Sequence, residues 1–121
     1  MRLRLRLRLL AALGDKLERI AGPGGAYLAG LRYRDRSEFQ TAIGAFRYAE
    51  KQWRSTDPGG STGALLQVAY CRGRLRDFLG ARLDYEEVLR RVRANPTASN
   101  MPKESEVMTL LEDIKSRETG I

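Results

Sequence analysis

The side chains that most often make and break bonds are scarce in this chain. Cys71 is its only thiol, and there is no histidine at all, so the group that most often takes a proton from a nucleophilic sulfur is missing. Cys71 sits in "LLQVAYCRG", a stretch rich in Leu, Val and Tyr, where a lone cysteine reads as a small core residue. "DPGGSTG" (57–63) has the glycines of a phosphate-cradling loop, but no Lys-Ser or Lys-Thr follows them to grip a phosphate. It reads as a surface loop ending in a helix cap at Ser61 or Thr62. Asp84, Glu86 and Glu87 are accompanied by Arg82, Arg90 and Arg91. The four-residue steps Glu86–Arg90 and Glu87–Arg91 describe ion pairing along a solvated helix face. No catalytic set, metal-ligand spacing or cofactor motif stands in the sequence, so the expected activity is not enzymatic and needs neither metal nor cofactor.

Binding chemistry is better represented. The chain of 121 residues carries 22 basic against 15 acidic side chains, a formal charge of +7. The excess lies early: residues 95–121 have Lys103, Lys115 and Arg117 against Glu104, Glu106, Glu112, Asp113 and Glu118. Arg2, Arg4, Arg6, Arg8, Arg72, Arg74 and Arg76 are the candidates for meeting an anionic partner, with Arg32 and Arg34 between them. A single cysteine excludes an internal disulfide and suits a reducing compartment. No apolar run reaches the roughly 18 residues that cross a bilayer, so no transmembrane segment is expected.

These side chains must be held by helices. "AGPGG" (21–25), "STDPGGSTG" (55–63) and "ANPTASNMP" (94–102) punctuate the chain with turn-forming residues. Between them apolar residues recur at steps of three and four, as in Phe39, Ala42, Ile43, Phe46, Ala49 and Trp53, and again in Phe78, Ala81, Tyr85, Val88, Leu89 and Val92. Leu9, Leu10, Leu13, Leu17 and Ile20 form a similar stripe early, and Val107, Leu110, Leu111 and Ile114 a late one. Ser37 followed by Gln40 has the spacing of a capping box, which predicts helices over 26–34 and 38–54. Gly73 and Asp77 mark the corresponding break and start in the second half. An all-α fold follows.

The halves correspond. "EFQTAIGAFRYAE" (38–50) aligns with "DFLGARLDYEEVL" (77–89), setting Glu38 against Asp77, Phe39 against Phe78, Ala42 against Ala81, Phe46 against Tyr85 and Ala49 against Val88, each pair 39 positions apart. Gly30 faces Ala69 at the same offset. Small residues let two antiparallel helices approach, and an aromatic one turn later fills the next gap. Stacking two such hairpins buries a continuous core.

This acid–aromatic–x–x–Ala–x–x–x–aromatic–x–x–small pattern resembles the second helix of a tetratricopeptide repeat. "LLQVAYCRGRLRDFLGARLDYEEVL" is the better copy and "YLAGLRYRDRSEFQTAIGAFRYAE" the weaker, so the likeness covers residues 26–94. The offset exceeds the family's usual period of about 34 residues, the extra length falling in "STDPGGS", and neither copy has the Trp that often opens the first helix. Pentatricopeptide repeats, which read RNA, are the nearest alternative, but their inter-helix turn is usually shorter than "CRGRLRDFLGA".

The resemblance implies stacked antiparallel helical hairpins forming a TPR-like superhelix, closed by flanking helices at 9–20 and 102–117. Residues 1–8 would form a basic arm ahead of a single domain over 9–121, with repeat-like segments at 26–54 and 65–94. It also implies a partner-binding face on the inner helices, containing Tyr27, Leu31 and Arg34 from the first copy and Leu66 and Tyr70 from the second. Members that hold acidic chaperone tails use charged inner-helix residues; the matching Tyr27, Leu31, Gly63 and Gln67 are uncharged, which argues against a clamp of that type. The expected function is therefore a non-enzymatic adaptor or scaffold for a protein partner, a second copy of the chain included. The alternative is a basic RNA-binding or ribonucleoprotein-associated protein.

"MRLRLRLRLL" alternates like a strand, yet no partner strand is evident, and as a helix its Arg residues would point all around. It reads as a basic arm. The expected location is the cytoplasm. An Arg-rich, acid-poor start makes mitochondrial targeting the alternative.

Overall fold

The computed structural model describes residues 22–120, which are helical throughout apart from turns and contain no strand. Five helices follow one another: α1 (22–35), α2 (Phe39–Trp53), α3 (Pro58–Arg74), α4 (Phe78–Ala94) and α5 (Glu104–Glu118). The arm at 1–8 and the helix expected over 9–20 lie outside the described residues. The all-α expectation therefore holds, and consecutive helices pack against each other.

Neighbours run antiparallel, as short connections require. Ser61, early in α3, donates to the carbonyl of Glu50, late in α2, at 2.7 Å. Arg72, late in α3, meets Asp84, early in α4, at 2.7 Å. Arg82–Glu118 and Arg93–Glu104 tie opposite ends of α4 and α5 together. α3 is the central helix and contributes to every apolar cluster: Ala64, Leu65, Val68 and Cys71 meet α1 and α2, while Leu65, Leu66 and Ala69 meet α4 and α5. α1 and α5 flank α3 on one side, and α2 and α4 approach each other on the other.

The 39-residue correspondence extends into the packing. Gly30, Ala42, Phe46 and Ala49 are buried, and so are Ala69, Ala81, Tyr85 and Val88. Gly30 shows why the small residues matter: a Cβ there would stand 2.6 Å from the Phe46 ring. The turns repeat too. Ser37 (φ 60°) and Arg76 (φ 65°) are both left-handed. Their amides return to the carbonyls of Arg34 and Gly73, and the next amides, of Glu38 and Asp77, to those of Tyr33 and Arg72. This double hydrogen bond is a Schellman closure, with side chains where glycine is usual.

That closure corrects the expected capping box. Ser37 ends α1 and cannot also take the extended backbone of an N-cap. Glu38 occupies the N-cap of α2, with no side-chain bond to the helix. Likewise Gly73 lies inside α3, and the break falls at Leu75–Arg76. Asp77 does start α4, its carboxylate accepting from the Gly80 amide at 3.0 Å.

"DPGGSTG" is not a loop. Asp57 caps α3 by accepting from the Gly60 amide at 2.9 Å, with Pro58 in the first turn. The second hairpin thus begins seven positions before 65. Ser61 and Thr62 are buried helix residues whose hydroxyls donate to the carbonyls of Glu50 and Pro58. Gly59 is small because Ser99, Asn100 and Met101 of the 95–103 connection lie directly against its backbone. In "AGPGG", residues 22–25 belong to α1, where proline fits the first turn. The last helix, expected over 102–117, runs Glu104–Glu118.

Candidate partner-binding face

With its other sides taken by neighbouring helices, α3 shows solvent a row at helical spacing: Gln67, Tyr70 and Arg74. Arg34 of α1 lies beside this row. Its guanidinium donates to the Gln67 amide oxygen at 2.8 Å, pairs with Asp35 at 3.1 Å and stands 5.9 Å from the Tyr70 ring centre. These contacts hold a long side chain in one orientation next to an exposed aromatic, reducing the ordering cost of recognition.

The five residues expected on the binding face divide. Arg34 and Tyr70 meet on the surface. Tyr27 stacks edge-on against Phe46 at 5.4 Å and tilts against Trp53 at 5.8 Å, within the α1–α2 interface. Leu31 packs on the Phe46–Val68 cluster, and Leu66 on the clusters shared with α4 and α5. Half-burial at these three positions is packing against neighbouring helices.

The expected anionic-contact residues divide as well. Arg72 is committed to Asp84, each side chain being about one-fifth exposed. Burial pushes the Asp84 carboxyl above its ordinary range while Arg72 opposes the shift. Arg74 lies over the Phe39 ring at 5.4 Å and Arg76 over Phe78 at 5.7 Å, neither forming an ion pair among the described residues. Arg2, Arg4, Arg6 and Arg8 lie outside the described residues. The aromatics after each inter-helix turn thus serve as platforms for basic side chains.

The opposite side carries a cleft of about 540 Å³ between α2 and α4, floored by Leu65 and Val68 of α3. At its edge lies a network the sequence reading missed. Glu50 is 6% exposed and accepts from Arg54 at 2.7 Å and from Arg91 at 3.0 Å. Arg91 also reaches Glu87 at 2.9 Å. A signal existed: Glu50 falls on the same stripe as Phe46, Ala49 and Trp53, an acid on an apolar face. The ion pairs of α4 differ from expectation at one place, since Glu86 pairs with Arg82 and Arg90 with Glu87, while Glu87–Arg91 forms.

Cys71 is fully buried beside Phe46 and Val68, and burial raises its thiol to about 11, Arg34 opposing. It is therefore held protonated at neutral pH. Among the described residues no three His, Cys, Asp or Glu side chains gather as a metal site, and no helix is long and apolar enough to cross a membrane. No family model matches the chain, and neither a curated protein nor a solved structure matches it.

Proposed function

We propose that this protein is a non-enzymatic interaction module, a small TPR-like adaptor that binds a protein partner on the face presented by α1, α3 and α5. The superhelical reading draws support from the 39-residue recurrence of turn geometry and burial, and from the alternation of inner (α1, α3, α5) and outer (α2, α4) helices. The binding reading is carried by the Arg34–Gln67–Tyr70 arrangement, a pre-oriented guanidinium and an exposed aromatic, the residue types that concentrate interface energy.

An unbiased pull-down with and without nuclease tests this. Partners retained after nuclease, and lost with a folded Gln67→Ala, Tyr70→Ala variant, support the adaptor. A folded variant that keeps every partner overturns it. Tyr27 is unsuitable for this test because its ring belongs to the core.

The alternative, RNA binding, is favoured by Arg74 and Arg76, whose guanidinium groups face no carboxylate of the described residues within ion-pair distance. It requires partners that nuclease removes and affinity that falls steeply with salt.

A further inference from the structure

A pocket of about 400 Å³ opens between α3 and α5, next to the turn that leads into α4. Tyr70, Arg74, Arg76, Tyr85 and Arg117 contribute to its lining, with Leu110 and Ile114 as apolar wall. Tyr85 is only 2% exposed, and its hydroxyl makes no hydrogen bond among the described residues. Buried hydroxyls nearly always find a partner, so one that lines a cavity unpaired calls for an occupant. The phenol lies within electrostatic reach of Tyr70 and Asp113, both also of the pocket, and burial holds its proton on. It can therefore donate.

The charges specify what it would donate to. Arg74 and Arg76 are steadied by the rings beneath them, with their N–H groups unspent on any carboxylate of the described residues. Arg117 is occupied by Asp113 at 3.0 Å. The balance is positive, yet the Asp113 carboxylate penalises a dense polyanion more than a single carboxylate. The Leu110–Ile114 wall suits a short apolar stem.

We propose that this pocket receives a carboxylate of an acidic peptide segment, held by the Tyr85 hydroxyl and the Arg74 and Arg76 guanidinium groups. It would be the anionic subsite at one end of the face described above, and in that sense it rests on the adaptor reading.

The test is an amide-shift titration of the isotopically labelled full chain. The probes are a capped hexapeptide alternating leucine and glutamate, its leucine–glutamine counterpart, and an oligouridylate. The acidic peptide is expected to move the amides of Gly73, Arg74 and residues 113–117 saturably, and the glutamine peptide to bind about tenfold or more weakly. Tyr85→Phe removes one hydrogen bond to a charged group, so it should weaken the acidic peptide about tenfold while leaving the thermal midpoint unchanged or higher. Arg74→Gln with Arg76→Gln should abolish the shifts in a folded protein.

The proposal is overturned if the pocket amides do not move, if the two peptides bind alike, or if Tyr85→Phe binds as well as wild type. A lowered midpoint in Tyr85→Phe, or an oligouridylate that moves the same amides more tightly than the peptide, overturns it as well. Because the titration reads the pocket directly, its failure leaves the pull-down result standing, and a failed pull-down leaves the pocket shifts standing.

Discussion

The carboxylate of Glu50 in α2 accepts a hydrogen bond from the guanidinium of Arg91 in α4 at 3.0 Å, joining two helices that are not neighbours in sequence. Glu50 is nearly buried and Arg91 about one-fifth exposed. Removing either partner leaves a desolvated charge with fewer bonds. Glu50→Ala or Arg91→Ala should each lower stability by about 1–3 kcal/mol, read from urea midpoints. A double-mutant cycle should return a coupling that changes little with salt, because the pair is shielded from bulk ions. Independent, additive losses would show that the contact contributes nothing.

Gly30 and Gly44 should respond to alanine with opposite signs. A Cβ at Gly30 meets the rigid Phe46 ring at 2.6 Å, whereas at Gly44 it meets nothing within 4 Å. Overpacking costs about 1–3 kcal/mol, and alanine in place of glycine inside a helix returns up to about 1 kcal/mol. Gly30→Ala should be destabilising by about 1–2 kcal/mol, and Gly44→Ala stabilising by about 0.5–1 kcal/mol. Thermal midpoints of the two variants, measured side by side, decide it.

The left-handed residues that close α1 and α3 make a further pair. Ser37→Gly relieves a positive φ of 60° and should stabilise by about 0.5–1 kcal/mol, while Ser37→Val should destabilise. Arg76→Gly should gain less, because it forfeits the guanidinium lying 5.7 Å above Phe78, a contact of about 0.5–1 kcal/mol at exposed sites. Equal gains at the two positions would show that this contact is energetically silent.

Acid should probe Glu87. Hydrogen bonding from Arg90 first, then from Arg91, holds its carboxyl down at about 2, from an ordinary value of 4.5. A carboxyl lowered on folding stabilises the native state above its unfolded pKa, and that support is lost as pH falls from about 4.5 toward 2. Asp84 acts in the opposite sense, since its raised carboxyl makes the ionised form unfavourable in the fold. Glu87→Gln should flatten the decline in urea midpoint over that acid range at constant ionic strength. A profile parallel to wild type would contradict the assignment.

The helices and their correspondence were legible in the residues, but the helix ends were less so. Ser37 has the composition of an N-cap, and only the backbone shows it spent on closing the preceding helix. Asp57-Pro58 is a strong start signal that the following glycines obscured. Those glycines read as loop, yet Gly59 is small to admit the 95–103 connection, a contact made by residues about forty positions away. Glu50 lies in line with Phe46 and Trp53, but a position on that stripe does not name the group that pairs with it. Its partner in α4 is 41 positions distant.

From the sequence alone came the all-α architecture, the two matching hairpins and the interior places of Ala42, Phe46, Ala81 and Tyr85. Helical periodicity and turn-forming residues are local properties, and a repeat is visible as soon as two stretches are aligned. The tertiary structure alone separated Tyr70, which faces solvent, from Tyr27, Leu31 and Leu66, which press against neighbouring helices. It also drew Arg34, Tyr70, Arg74 and Arg76 to one side of the molecule. Local pattern says which face of a helix is apolar, but which part of that face a neighbour covers depends on how the helices stack.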